Sequence, residues 1–155
     1  MTRYLPFFAT RAGAAFFPLT LMRVAIGLFF FSSGFNKVFV PAGQAAMLQT
    51  LTEAGIPFPA LMAVFVASCE ALFGLLLAVG LLSRLSAAIL ATISVVALLT
   101  VGIHQIPAGI TAIAWYSWFF YLPEPLYLLI LLTIIVQGSG PFGIDRAIAQ
   151  RIARG

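Results

Sequence analysis

Charge is what this sequence has least of. Only 8% of its 155 residues are charged while 63% are hydrophobic, against about 25% charged in a soluble domain. The mean hydropathy is +1.13. So few charges cannot cover a water-soluble globule, and lipid must be the solvent for much of the chain. Acids are the scarcest: four Asp and Glu stand against eight Lys and Arg, a formal charge of +4. The cations sit mostly at chain and loop ends, where anionic lipid headgroups meet them. No basic run is interleaved with aromatics, so nucleic acid is not an expected partner. There is one cysteine, Cys69. It makes no internal disulfide and no C-x-x-C pair, which argues against a thiol–disulfide oxidoreductase, and in its apolar run it reads as a small buried hydrophobe. There is one histidine, His104. That excludes a bis-histidine haem and a zinc site of several His and Cys ligands, so no metal is expected. Neither a dinucleotide fingerprint nor an iron–sulfur cysteine set is present.

What the chain has is long apolar runs. They predict an all-α polytopic membrane protein, a bundle of four transmembrane helices over about residues 18–36, 59–82, 85–103 and 117–137. Residues 1–17 form an arm with Arg3 and Arg11 and no acid; the run after it reads as a retained helix and not a cleaved signal. The loop 38–58 holds a stretch, 45–54, suited to a short interfacial helix. Gly55-Ile56-Pro57-Phe58-Pro59 is a turn signal. Residues 108–121 stay open between helix, loop and re-entrant segment. Their cluster of Trp115, Tyr116, Trp118, Phe119, Phe120 and Tyr121 suits a membrane–water interface. From Pro125 alone the last helix would reach about 20 Å, too short for a core of about 30 Å. Either it begins earlier and breaks at Pro123-Glu124-Pro125, or the aromatic stretch dips back into the membrane. Residues 138–155 read as a basic amphipathic tail with Arg146, Arg151 and Arg154. With four spans, Lys37 lies on one side and the other loop and end cations on the other, so the positive-inside rule predicts both termini in the cytoplasm.

Two stripes stand out. At 100° per residue, Arg23, Gly27, Phe30, Gly34 and Lys37 share one face of the first helix. Ala63, Ala67, Glu70, Gly74 and Ala78 share one side of the second. Small residues so placed let helices approach closely in lipid, which gives Arg23, Gly27, Gly34, Gly74 and Arg84 a structural, helix-pairing reading. Helical rise then compares depths. Glu70 lies about 21 Å from Arg84, and Glu124 about 20 Å from Gln137 at the same edge. His104 lies about 30 Å from Arg84, and Lys37 ends the first helix at that far edge, with a stem long enough to reach inward. Lys37, Glu70, His104 and Glu124 are therefore the candidate polar site. Each has a plainer reading beside it: a packing ion pair for Glu70, a helix start for Glu124, a cap for His104, a snorkelling anchor for Lys37.

Arg23, then Gly27, Gly34 and Lys37, then Gly55-x-Pro57, then Glu70-x3-Gly74 leading to Gly80-Leu81-x2-Arg84-x2-Ala87, and finally Gly138-x-Gly140 before Asp145 form an ordered set. In it the chain resembles the DoxX family over roughly residues 20–146. The resemblance implies a small four-helix protein of the bacterial inner membrane. Some relatives are small subunits of quinone-linked thiosulfate oxidation systems, and others belong to membrane oxidoreductase assemblies or accompany the modification of metal-binding peptides. Three functions fit. One is an accessory subunit of a membrane oxidoreductase with a quinone pocket, its electrons arriving from a partner subunit. The second is a small ion-coupled transporter. The third is a membrane anchor that recruits soluble partners through the tail. The partners in view are the lipid bilayer, an oxidoreductase subunit and a second copy of the chain.

Overall fold

The structure is a computed structural model, and it describes residues 16–140 and 142–152. Most of the N-terminal arm, with Arg3 and Arg11, lies outside those residues, as does Arg154. Among the described residues every regular element is helical: α1 (Phe16–Phe39), α2 (Pro41–Glu53), α3 (Pro59–Val79), α4 (Ser83–Thr100), α5 (Ala112–Tyr121), α6 (Pro123–Gln137) and α7 (Ile144–Ile152), with a 3-10 turn at Gly102–Gln105 after α4. Phe17–Phe39, Pro59–Val79 and Ser83–Gln105 are each long and apolar enough to cross a membrane; α5 and α6 pass that test only together. They are bent by 69°. Leu122 stands extended at the break, at φ −68° and ψ 139°, because the residue before a proline is driven out of the helical region. Residues 108–121 thus contain a helix, and the stretch expected as one rod over 117–137 is a bent pair, with the geometry of a broken span or a re-entrant segment.

The bundle is apolar outside, and α3 turns mostly small residues inward. On α3 the buried residues are Ala63, Ala67, Glu70, Gly74 and Leu77. Leu61, Phe65 and Leu72 point outward and are more than half exposed. So much exposed apolar area suits lipid, not water. α1 and α3 make the tightest pair. A Cβ on Gly27 would lie 2.5 Å from Ala78 N, one on Gly34 2.6 Å from Ala67 O, and one on Gly74 2.8 Å from Gly27 O. Only hydrogen fits at these places, so backbone meets backbone. α6 packs on α4, and Leu90, Leu131 and Ile134 are fully buried in a core completed by Leu19, Ile26, Phe30 and Leu77.

The α3–α4 junction is turned sharply. Gly80 takes φ +77° and ends α3, its N–H donating to Leu76 O and Leu77 O to close the last turn. A side chain there would also strike the Arg23 guanidinium, 2.6 Å away. Arg23 is 2% exposed, and its Nη1 donates to Leu77 O at 2.7 Å and Ala78 O at 2.8 Å. The cation therefore satisfies carbonyls at the end of a neighbouring helix. Leu82 follows at φ 50°, a conformation leucine rarely takes. Asp145, at the start of α7, offsets that strain. Its Oδ1 accepts from Leu82 N at 2.7 Å and its Oδ2 from Ser83 N at 2.9 Å, while its own N–H donates to Gly80 O at 2.9 Å. α4 thus begins at Ser83, two residues before the expected start, and is capped by a residue of α7. Asp145→Ala is expected to lower stability by about 2 kcal/mol, and Asp145→Asn by about half as much, since the amide keeps one acceptor. Heat-unfolding midpoints in detergent check this; equal midpoints for all three proteins would contradict it.

Candidate functional site

At the other end of α1 the two stripes bring unlike charges together. Lys37 Nζ donates to Glu70 Oε2 at 2.7 Å and Oε1 at 3.0 Å. Ser33, one turn before Lys37, donates to Oε2 at 3.3 Å. The Glu70 side chain is 7% exposed and that of Lys37 28%. The carboxylate is thus sunk between the helices, while the ammonium keeps an open flank. The close approach at Gly34 causes this: Glu70 lies one turn after Ala67 and directly before Ala71, whose backbones pack on Gly34. It is the one ion pair between side chains found among the described residues.

That open flank borders a cavity of about 520 Å³. α1 contributes Ser33, Asn36 and Lys37, and α3 contributes Glu70 and Val66. α4 supplies the mainly apolar wall through Thr92, Ile93, Val96 and Ala97. α2 covers it with Ala46, Met47 and Thr50. Among the described residues α2 buries none of its own. It follows α1 after a single residue, with Pro41 at its first position and Gly43 packed on the Asn36 carbonyl. The stretch expected as a loop is thus mostly a helical cover, longer than the expected 45–54.

Glu124 reaches the same cavity from the first turn of α6. Its Oε2 is buried without a hydrogen-bond partner among the described residues. Gly102 packs beside it: a Cβ there would stand 3.4 Å from that oxygen, an ordinary van der Waals contact. His104 shares the 3-10 turn with Gly102 but is exposed and does not line the cavity. The structure therefore brings Lys37, Glu70 and Glu124 to one space and leaves His104 outside it. Arg23 and Arg84 belong to the opposite end, where Arg84 Nη2 donates to Val136 O at 3.2 Å. Ser33 was overlooked in the sequence, although its place four residues before Lys37 on the same helical face marked it. Among the described residues no group of three His, Cys, Asp or Glu is placed to hold a metal.

Apolar-surfaced helices long enough to cross a membrane, packed around a buried ion pair and a cavity, define a polytopic all-α integral membrane protein. The chain belongs to the DoxX family: the DoxX family model matches residues 18–103, from the first turn of α1 to the middle of the 3-10 turn. The match includes Lys37 and Glu70 and stops short of His104 and Glu124. No curated protein and no solved structure matches the chain.

Proposed function

We propose that this protein is an accessory, quinone-interacting subunit of a membrane oxidoreductase system in a bacterial inner membrane, with both termini cytoplasmic. The observation that carries the reading is the roughly 520 Å³ cavity, apolar on its α4 wall, with the Lys37–Glu70 pair and Glu124 at its polar places. That volume lies within the range of about 300–1,000 Å³ usual for small-molecule sites. A quinone headgroup needs an apolar slot, a donor for a ring carbonyl, and groups that pass protons; its reduction to quinol takes up two electrons and two protons. The open flank of Lys37 supplies the donor. Glu70 and Glu124, at the cavity wall, take protons from water and pass them to the two quinone oxygens. The electrons come from a partner subunit, since the chain has one cysteine and one histidine and lacks a dinucleotide fingerprint.

Isothermal titration of the detergent-purified protein with a short-chain ubiquinone analogue tests this. Lys37→Gln and Glu70→Gln, which keep the packing volume, are each expected to weaken binding about tenfold, the loss of one charge-assisted hydrogen bond. Failure of the unaltered protein to bind, or equal affinity in all three, would remove the quinone. One observation favours ion-coupled transport instead: the unpartnered Glu124 oxygen stands where the bent α5–α6 pair breaks. Proton flux into liposomes carrying this protein alone would put that reading in its place.

A further inference from the structure

The opposite end of the bundle carries a second cleft that the proposed ligand does not use. It measures about 640 Å³ and lies between the start of α4, the end of α6 and the start of α7. Two arginines face it, Arg84 and Arg146, with one acid, Asp145. Both Asp145 oxygens are already taken by the backbone N–H groups of Leu82 and Ser83. Neither arginine pairs with a carboxylate among the described residues. Arg84 is also held in place. Its Nη2 bonds to Val136 O, and its Nε lies 3.5 Å from where a Cβ on Gly138 would be. Its remaining N–H groups are left to a ligand. Ser83 Oγ, on the same wall, is buried with no partner among the described residues.

Three features decide what would sit there. The cleft has a net positive charge, so its ligand is an anion. Two guanidinium groups present forked donors, the geometry that matches a phosphate. Arg84 is the second residue of the α4 span, which places it at the edge of the hydrocarbon, at the level of lipid phosphates. Leu82 and Leu85 line the same cleft and are each 52% exposed, ready to lie along an acyl chain.

We infer that this cleft binds the phosphate of an anionic phospholipid headgroup, clamped between Arg84 and Arg146 with the first part of an acyl chain against Leu82 and Leu85. Juxtamembrane cations each contribute about 1 kcal/mol to attraction for an anionic leaflet. A built cleft goes beyond that general attraction because it makes the position of a cation matter, not merely its number. On the positive-inside reading, this end faces the cytoplasmic leaflet.

The test is lipid retention by the full chain, purified in mild detergent after reconstitution with equal phosphatidylglycerol and phosphatidylcholine, and read by native mass spectrometry. The unaltered protein is expected to retain phosphatidylglycerol selectively. Arg146→Gln should lower that retention about tenfold, and Arg84→Gln by at least as much. Arg151→Gln removes the same charge from α7 outside the cleft and should leave retention unchanged. Arg146→Lys, which keeps charge but not the fork, should fall between. Equal loss in Arg146→Gln and Arg151→Gln, or equal retention of the two lipids, would overturn the proposal. Displacement of the lipid by millimolar inorganic phosphate would also overturn it, showing a soluble phosphate to be the occupant. Since Arg84 also bonds α6, Arg146→Gln is the deciding variant; among the described residues the Arg146 side chain makes no hydrogen bond, and only its backbone N–H donates, to Gly143 O.

Discussion

Lys37→Ala is expected to destabilise the protein by about 3 kcal/mol, the low end for breaking a buried ion pair. The cause is what remains. Glu70 stays 7% exposed between α1 and α3, and its only other side-chain donor among the described residues is Ser33, at 3.3 Å. An unpaired carboxylate in that place must take up a proton, draw in water or part the helices. The 28% exposure of Lys37 puts the effect at the low end, because some solvation of the pair already exists. Removing both charges is expected to behave otherwise. Lys37→Met with Glu70→Leu should recover most of the loss, since two apolar side chains of similar size need no mutual geometry. Unfolding midpoints in detergent and denaturant, taken as a double-mutant cycle, measure both. A Lys37→Ala protein as stable as the unaltered one would mean that Glu70 is hydrated and the pair is not structural. The double variant serves a second purpose: it should stay folded and yet fail to bind a quinone, which separates the ligand's need of these charges from the fold's.

Gly34→Ala should be nearly as costly, by about 1–3 kcal/mol, although it adds one methyl group. The new Cβ would stand 2.6 Å from Ala67 O and 2.9 Å from Ala71 Cα. Both are backbone atoms, so no side chain can swing aside, and α1 must move off α3. Glu70 is three residues from Ala67, so separation at Gly34 should also lengthen the Lys37–Glu70 contact and weaken ligand binding. Gly34→Val should prevent stable assembly. Gly55→Ala is the control. Gly55 has φ +67° but nothing within 4 Å of a Cβ. Its cost is the left-handed backbone alone, about 1–2 kcal/mol, and it should leave ligand affinity unchanged. If Gly34→Ala and Gly55→Ala cost the same and neither affects binding, close approach of α1 and α3 is not what sets the site.

Periodicity accounts for how much of this was readable. Arg23, Gly27, Phe30, Gly34 and Lys37 share one face of α1, and Ala63, Ala67, Glu70, Gly74 and Ala78 one side of α3, because each helix turns its residues by a fixed angle. Depth along a helix follows from a fixed rise, which is why Glu70 and Glu124 were expected at one level and open on one cavity. The same arithmetic sets His104 about 9 Å farther out, at the edge, but does not say which way it faces. It sits in a 3-10 turn outside α4, where the helical angle no longer holds, and it points to the surface. The 69° bend was half legible: Pro123 and Pro125 required a break, but a proline does not specify the angle of the helix before it. The role of Asp145 was hidden. It lies more than 60 residues along the chain from the N–H groups it caps, and no spacing rule spans that distance.

The sequence by itself determined the solvent, the long apolar helices and, for α1 and α3, the face turned inward. Composition alone decides that a chain 63% hydrophobic and 8% charged needs lipid around it, and local bearing and rise follow from one helix at a time. Only the tertiary structure decided which groups meet: Glu70 with Lys37 and Ser33, Glu124 on their cavity with its Oε2 unpartnered among the described residues, Arg23 on the carbonyls of α3, Asp145 on the start of α4. Those meetings depend on how far apart neighbouring helices stand and how they are rotated about one another. Both are set by packing across the whole bundle, where a glycine's missing methyl group on one helix places a carboxylate on the next.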